Sequence, residues 1–324
     1  MLRILPSVNY FLPGLLLLAG VGGCRKDVDE FRPYVYDPSQ TSLVQLLDQV
    51  PVTATTTTFA LQGLDHDTTL TTSSGVRIVL TDPEALFAYP DGQPVATSTC
   101  QNLRVVVIEA LDRRALVGRR MHTATYPDGP LLEIGGAVHI QVTCEGTPLQ
   151  LLSNRTLKVQ LPTPGPTDNM STFSGAIPNG VDFLGWQATN EPAYQAEWVS
   201  GTDLLEGYET YPTSLGWVGV GRPLPEITSK FCVELPTAMT DQTARVAVVF
   251  KGVLAVGTLE YDVIQQAFCF QAPKGYPVEV VAISKLGEQY WLAHRATEIG
   301  TNTTFQMEPQ KTSEATLLAF LQSL

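Results

Sequence analysis

The sequence predicts an all-β protein of two β-sandwich-like domains, with a Trp/Gly-rich connector, a short N-terminal helix and a C-terminal docking helix. Two observations carry that prediction. Short β-branched runs recur between Asp-Gly, Ser-Gly and Glu-Gly dipeptides, the pattern of strands punctuated by tight turns. Threonine, with 36 residues, supplies strand faces that meet solvent without charge. The length of 324 residues accommodates two such domains.

Taken in chain order, residues 1–23 are a secretory signal. Arg3 is followed by an apolar stretch through Leu18, broken by Asn9 and Pro13, and by small residues before Cys24. The stretch is too interrupted for a comfortable membrane span. Val21-Gly22-Gly23-Cys24 resembles a bacterial lipobox. The resemblance implies that Cys24 becomes the acylated first residue and that the lipid holds the protein on a membrane. Arg25, where Asp would imply retention at the inner membrane, places it at the outer membrane by the same resemblance. Residues 24–40 are a tether.

Residues 41–162 form the N-terminal helix and first β domain. Leu43, Leu46, Leu47 and Val50 recur at helical spacing, Thr41 or Ser42 can cap the helix, and Pro51 stops it. Strands follow at 55–62, 76–81, 103–111, 131–144 and 156–161. The breaker cluster Thr163-Pro164-Gly165-Pro166 opens the connector, residues 163–227, which holds three of the four tryptophans. Its Trp186, Trp198, Tyr208, Tyr211 and Trp217 are either an exposed binding surface or packing between the domains. Residues 228–310 read as a C-terminal sandwich with strands at 229–235, 243–250, 254–261, 267–271, 278–284 and 289–294. Residues 311–324 carry the stripe Leu317, Phe320, Leu321, Leu324, a helix expected to lie as a lid on that sandwich.

Four of the five cysteines remain after Cys24, an even number suited to an oxidising compartment. Pairing Cys100 with Cys144 and Cys232 with Cys269 keeps each bridge inside one domain. A zinc site lacks support, since there is no Cys-x-x-Cys and the four histidines are scattered. No cofactor is expected. The formal charge of −12 leaves no basic footprint for phosphates and excludes nucleic acid as a partner. Charged residues are only 16% against 44% hydrophobic, which is not the composition of a disordered chain.

Part of the sequence is similar to a β domain of uncharacterised Bacteroidota outer-membrane lipoproteins. The likeness rests on Gly75 to Leu80, Phe87, Asp91-Gly92-Gln93-Pro94-Val95, Val105 to Glu109, Thr123-Ala124-Thr125, Gly129, Leu131 to Gly136 and Gly146 to Leu149. A later segment, Leu215 to Arg222, resembles their Gly-Trp-Ile-Asn-x-Asp-Arg, with Gly219 and Gly221 where those proteins carry Asn and Asp. The resemblance implies a cell-envelope location and a β fold, and supplies no activity.

Three places hold groups that chemistry could use. Asp65-His66-Asp67 puts its two carboxylates on one strand face and the imidazole on the other, so a polar turn is favoured over an ion site. Glu109 and Glu133 would serve a secreted polysaccharide hydrolase if they faced each other across one site. His139 lies in an apolar strand, where a solvated or hydrogen-bonded ring is the ordinary outcome. No nucleophile elbow, zinc-protease or phosphate-loop motif occurs. The reading is a lipid-anchored, non-catalytic binding or structural module. Its expected partners are the membrane, through the anchor, and a protein or a glycan.

Overall fold

A computed structural model describes residues 43, 45–47, 56–63, 66–96, 98–126, 129–176, 184–225 and 227–324. The described chain is predominantly β. Its first fifteen strands are β1 (Thr56–Gln62), β2 (Thr68–Thr71), β3 (Arg77–Leu80), β4 (Phe87–Ala88), β5 (Asn102–Ala110), β6 (Met121–Thr125), β7 (Leu132–Cys144), β8 (Thr147–Pro148), β9 (Gln150–Leu151), β10 (Lys158–Pro162), β11 (Ser171–Ala176), β12 (Leu184–Pro192), β13 (Tyr194–Ser200), β14 (Asp203–Thr210) and β15 (Gly216–Pro223). One sheet runs β1-β5-β7-β15-β11-β12-β6, with β8 on β7, and the facing sheet runs β13-β14-β10-β3-β2. Val105, Val107, Ile140 and Val142 from the first sheet close a core with Ile78, Leu80, Val159 and Leu161 from the second.

Residues 163–227, expected as a connector, are not one. They supply β11 to β15 and belong to both sheets of the N-terminal sandwich. Glycine also lets large rings come close to these sheets. A Cβ on Gly219 would sit 2.8 Å from the Trp186 indole, and one on Gly135 would sit 2.3 Å from the Tyr208 ring.

The remaining strands are β16 (Thr228–Glu234), β17 (Ala244–Phe250), β18 (Val256–Thr258), β19 (Glu260–Asp262), β20 (Ala267–Pro273), β21 (Pro277–Leu286), β22 (Gln289–Glu298), β23 (Thr303–Gln306) and β24 (Gln310–Thr312). They form sheets β19-β20-β16-β23 and β18-β17-β21-β22-β24. Phe231, Val233 and Phe268 meet Val246, Val248, Phe250 and Val280 between them. Leu286 pairs with Gln289, so Gly287, at φ 59°, and Glu288 form the two-residue hairpin turn.

A third core joins the sandwiches. Leu132, Ile134, Phe173 and Trp186 from the N-terminal sandwich pack with Val249, Val281 and Ile283 from the C-terminal one. Helical segments fill this layer. Leu43, Leu46 and Leu47 of the expected N-terminal helix are helical and buried there. Helix α1 (Arg113–Gly118) begins where the Asp112 carboxylate accepts the Ala115 N–H at 2.8 Å. Helix α2 (Glu314–Gln322) is capped by Ser313 and buries Leu317 and Leu321 in the same layer. The C-terminal helix is therefore a wedge in the shared core, rather than a lid on one sandwich.

Polar contacts fix the joint. Arg113 donates to the carbonyls of Phe250 at 2.9 Å and Val253 at 3.0 Å, and the Ile134 N–H donates to the Leu254 carbonyl at 2.9 Å. The Thr123 hydroxyl donates to the Val256 carbonyl at 3.2 Å and accepts its N–H at 3.0 Å. Trp186 is wholly buried in the third core. Trp186→Ala should cost about 3–5 kcal/mol by opening a cavity, and Gly219→Ala about 1–3 kcal/mol by overpacking the indole. Chemical denaturation checks both. A stability change within a few tenths of a kcal/mol for either would show that the layer does not hold the sandwiches together.

Candidate functional site

The two disulfides are those expected. Cys100–Cys144 joins the chain before β5 to the end of β7, with Cα atoms 5.7 Å apart. Cys232–Cys269 bridges residues directly paired across β16 and β20, with Cα atoms 4.2 Å apart. Each lies within one sandwich and closes a loop of 44 or 37 residues in sequence separation. Such loops stabilise a fold by about 2–4 kcal/mol each, mostly by constraining the unfolded chain. Cys24 lies outside the described residues.

Most of the aromatic set is core rather than surface. Trp186, Trp198 and Tyr208 are buried. The Trp198 indole donates to the Gly75 carbonyl at 3.1 Å. The Tyr208 hydroxyl accepts the Thr167 N–H at 2.6 Å and donates to the Thr167 carbonyl at 3.2 Å. Trp217 is half-buried, edge-on to His139 with ring centres 5.4 Å apart. Burial pushes the His139 pKa down, and the nearby Arg119 charge adds to the shift. The Tyr211 hydroxyl donates to Glu209 and its pKa is pushed up to about 12, first by that hydrogen bond and then by desolvation. Burial alone would raise the Glu209 carboxyl; hydrogen bonds from Lys158, Tyr211 and Gln160, with the Lys158 charge, outweigh it and hold the pKa below the ordinary range. These contacts are structural ones, and the reason is the strand identity of the segment.

Glu109 and Glu133 are not brought together. Glu109 is buried and accepts the Ser74 hydroxyl at 2.5 Å. Glu133 is held by Arg222, whose Nη2 and Nε lie 2.8 and 2.9 Å from Oε2. Glu109 pairs with Val138, five positions along β7 from Glu133, which separates the two by roughly 15 Å of strand against the 5–9.5 Å that glycosidase pairs need. Asp67 accepts the Asp82 N–H at 2.8 Å in a turn, and Asp65 lies outside the described residues. Among the described residues no group of His, Cys, Asp and Glu could hold a metal ion.

Two regions do present polar side chains to open space. At the junction of the sandwiches a cleft of about 260 Å³ is walled by His122, Tyr126, Lys230, Glu260 and Phe270. His122 Nδ1 accepts the Thr258 N–H at 2.9 Å, so the edge of β18 is read by a neutral imidazole. Burial drives its pKa down to about 4.

The larger region lies on the open side of the C-terminal sandwich. The chain leaves β23 at Gln306, crosses from one sheet to the other through Met307, Glu308 and Pro309, and enters β24. A cleft of about 450 Å³ opens on one side of this crossing, among Glu234, Tyr261, Gln265, Gln266 and Gln306. A second, of about 490 Å³, opens on the other side, among His294, Arg295, Gln310 and Lys311. Gln306, Met307 and Glu308 wall both. The Gln306 amide donates to Glu234 Oε2 at 3.1 Å, fixing one amide and one carboxylate side by side. Met307 plugs the core beneath them. These residues were not singled out by sequence, because they come from β16, β19, β22 and the crossing and meet only through sheet order. The Gln265-Gln266 dipeptide is the sole local hint.

No protein-family model, curated protein or solved structure matches this chain.

The depressed His122 pKa has a defined consequence. The unfolded histidine binds a proton below its ordinary pKa of 6.5 and the folded one only near 4, so stability falls as pH drops through that window. The slope contributed is at most about 1.4 kcal/mol per pH unit. In His122→Gln, whose amide oxygen can still accept the Thr258 N–H, that contribution should vanish. Urea denaturation of both proteins between these pH values checks it; parallel stability curves would refute a neutral buried imidazole.

Proposed function

We propose that this chain is a lipid-anchored, non-catalytic binding module of the bacterial cell envelope, held on the outer membrane through Cys24, which binds a glycan in the cleft between Tyr261 and the Gln306–Glu308 crossing. The observation that carries the reading is the cleft lining. Three glutamine amides, two carboxylates and one tyrosine ring converge there without a cationic side chain. Amides offer paired donors and acceptors, carboxylates offer acceptors, and together they match the vicinal hydroxyls of a sugar. The tyrosine adds an apolar ring face with a polar tip. Glu234 and Glu308 would repel an acidic polysaccharide, so the ligand is a neutral or amino-sugar glycan.

The anchor rests on the lipobox resemblance at Val21 to Cys24, and the envelope location on the similarity to Bacteroidota lipoproteins. Two disulfides accord with an oxidising compartment. The non-catalytic character is supported by the occupied state of Glu109 and Glu133, each already committed to a partner within the fold.

Two measurements test the proposal. Cys24→Ser should move the protein out of the membrane fraction or stall its processing, and unchanged partition would remove the anchor. Isothermal titration of the purified protein against a panel of neutral and amino-sugar oligosaccharides should find a binder. Tyr261→Ala and Gln266→Ala should each weaken it about tenfold, the loss of one good contact; Gln266→Ala, at an exposed turn position, should leave thermal stability unchanged, whereas Tyr261 also packs on Phe268 and its loss should lower it. Equal affinity in the variants, no binding across the panel, or hydrolysis of the bound glycan would overturn the reading.

A further inference from the structure

Strand β22 is ten residues long and only partly covered. On one side it pairs with β21 over its whole length, from Gln289 opposite Leu286 to Glu298 opposite Pro277. On the other side β24 pairs only with Tyr290, Trp291 and Leu292. Residues 293–298 therefore offer a free row of main-chain groups among the described residues, and His294, Arg295, Ala296 and Glu298 along it are exposed. An edge of that kind accepts another strand unless something blunts it.

We propose that this edge takes an extended peptide of a partner protein, acidic at alternate positions, which continues the row begun by β24. The geometry is that of strand addition, in which main-chain hydrogen bonds hold the peptide and pockets read alternate side chains. Six residues is the usual length of a strand. Behind the edge lies the second cleft, so side chains on one face of the incoming strand have somewhere to go.

Charge sets the peptide's character. Lys311 pairs with Trp291 and its Nζ lies over that ring, 5.5 Å from the centroid. Arg295 lies 5.2 Å from the Phe305 centroid in the facing sheet. Positions 291, 293, 295 and 297 share one strand face, so both cations flank the slot that the peptide's inward side chains enter. Glu308 is the one carboxylate of this lining, on the crossing. On the opposite face, His294 is hydrogen-bonded to Glu279 at 2.9 Å and Glu298 makes no ion pair among the described residues, so acidic side chains are disfavoured there. The matching peptide is acidic inward and neutral or basic outward.

A second copy of this chain fits the edge poorly. Antiparallel pairing about a twofold axis keeps every side chain on its own face, so residues of like parity meet. Centred on Arg295 or Ala296, such a pair sets Arg295 opposite or diagonal to its own copy; centred on Thr297, it shrinks to three residues and sets Glu298 diagonal to itself. Like charges so placed are destabilising.

The probe is a fluorescent octapeptide alternating Glu with Val and Thr, titrated by anisotropy against the detergent-solubilised full chain. It should bind saturably. Replacing Glu by Lys in the peptide, or N-methylating alternate amides, should each weaken binding about tenfold or more. Arg295→Glu and Lys311→Glu, on the exposed rim, should invert the preference toward the Lys peptide with no change in unfolding temperature. Tyr261→Ala should leave peptide affinity intact, which separates this edge from the glycan cleft. Binding indifferent to N-methylation, binding indifferent to charge, or no binding at all would overturn the proposal. So would a dimer by sedimentation velocity that Arg295→Glu abolishes, since the edge would then belong to a second copy.

Discussion

Strand β7 must serve two cores at once, and the fold depends on how it does so. A strand shows alternate residues to opposite faces, so an uninterrupted Leu132–Cys144 would send Leu132, Ile134, Val138, Ile140 and Val142 the same way. Opposite β15 the register shifts between Val220 and Gly221, which face Gly136 and Ile134, and Gly135 is left over. That bulge turns the chain by one residue. Leu132, Ile134 and Ala137 then enter the core between the sandwiches, while Val138, Ile140 and Val142 enter the N-terminal one. Tyr208 occupies the space that a side chain at 135 would need, and Thr163 donates its hydroxyl to the Gly135 carbonyl.

The joint follows from that division. With Ile134 facing the C-terminal sandwich, its N–H reaches the Leu254 carbonyl, and β6 next to it reads β18 through Thr123 and His122. These are sequence-distant contacts to main-chain groups, which fix position without depending on the partner's side chains. The helical segments then fill the layer with leucines, and their short length is no handicap. An isolated six-residue helix such as α1 would not persist in water; here Asp112 caps it and burial of Leu116 and Val117 holds it.

What the sequence made legible were features that repeat locally. The β-branched runs, both disulfides and the apolar stripe of α2 all announce themselves within a dozen residues or by parity of cysteines. Three things were not legible for a common reason. Helix α1 is too short to show a period. The segment 163–227 looked like a connector because a Pro/Gly breaker cluster opens it and glycine normally weakens strands, whereas Gly219 within it leaves room for Trp186 against the sheet. The polar cleft draws Glu234, Tyr261 and Gln306 from three strands whose adjacency exists only after the sheets assemble. The resemblance left no polar role at 219 and 221, where this chain carries glycine; Gly219 lies against the indole and Gly221 at the bulge.

The position of the cleft has a topological cause. The last strand of this sandwich returns to the opposite sheet, and the return is made in three residues, between Gln306 at the end of β23 and Gln310 at the start of β24. So short a crossing cannot cover the open side. Met307 points inward and is 5% exposed, closing the core, whereas Gln306 and Glu308 on either side of it turn to solvent by strand alternation. β24 begins only at Gln310, opposite Leu292, because residues 307–309 are spent on the crossing, so residues 293–298 of β22 have no partner from it; at its other end the chain turns at Ser313 into α2, whose Leu317 and Leu321 belong to the core between the sandwiches. The crossing, with Met307 committed to the core beneath it, therefore leaves polar clefts and a free strand edge beside it. One demand of the hydrophobic core thus creates the surfaces on which recognition is proposed.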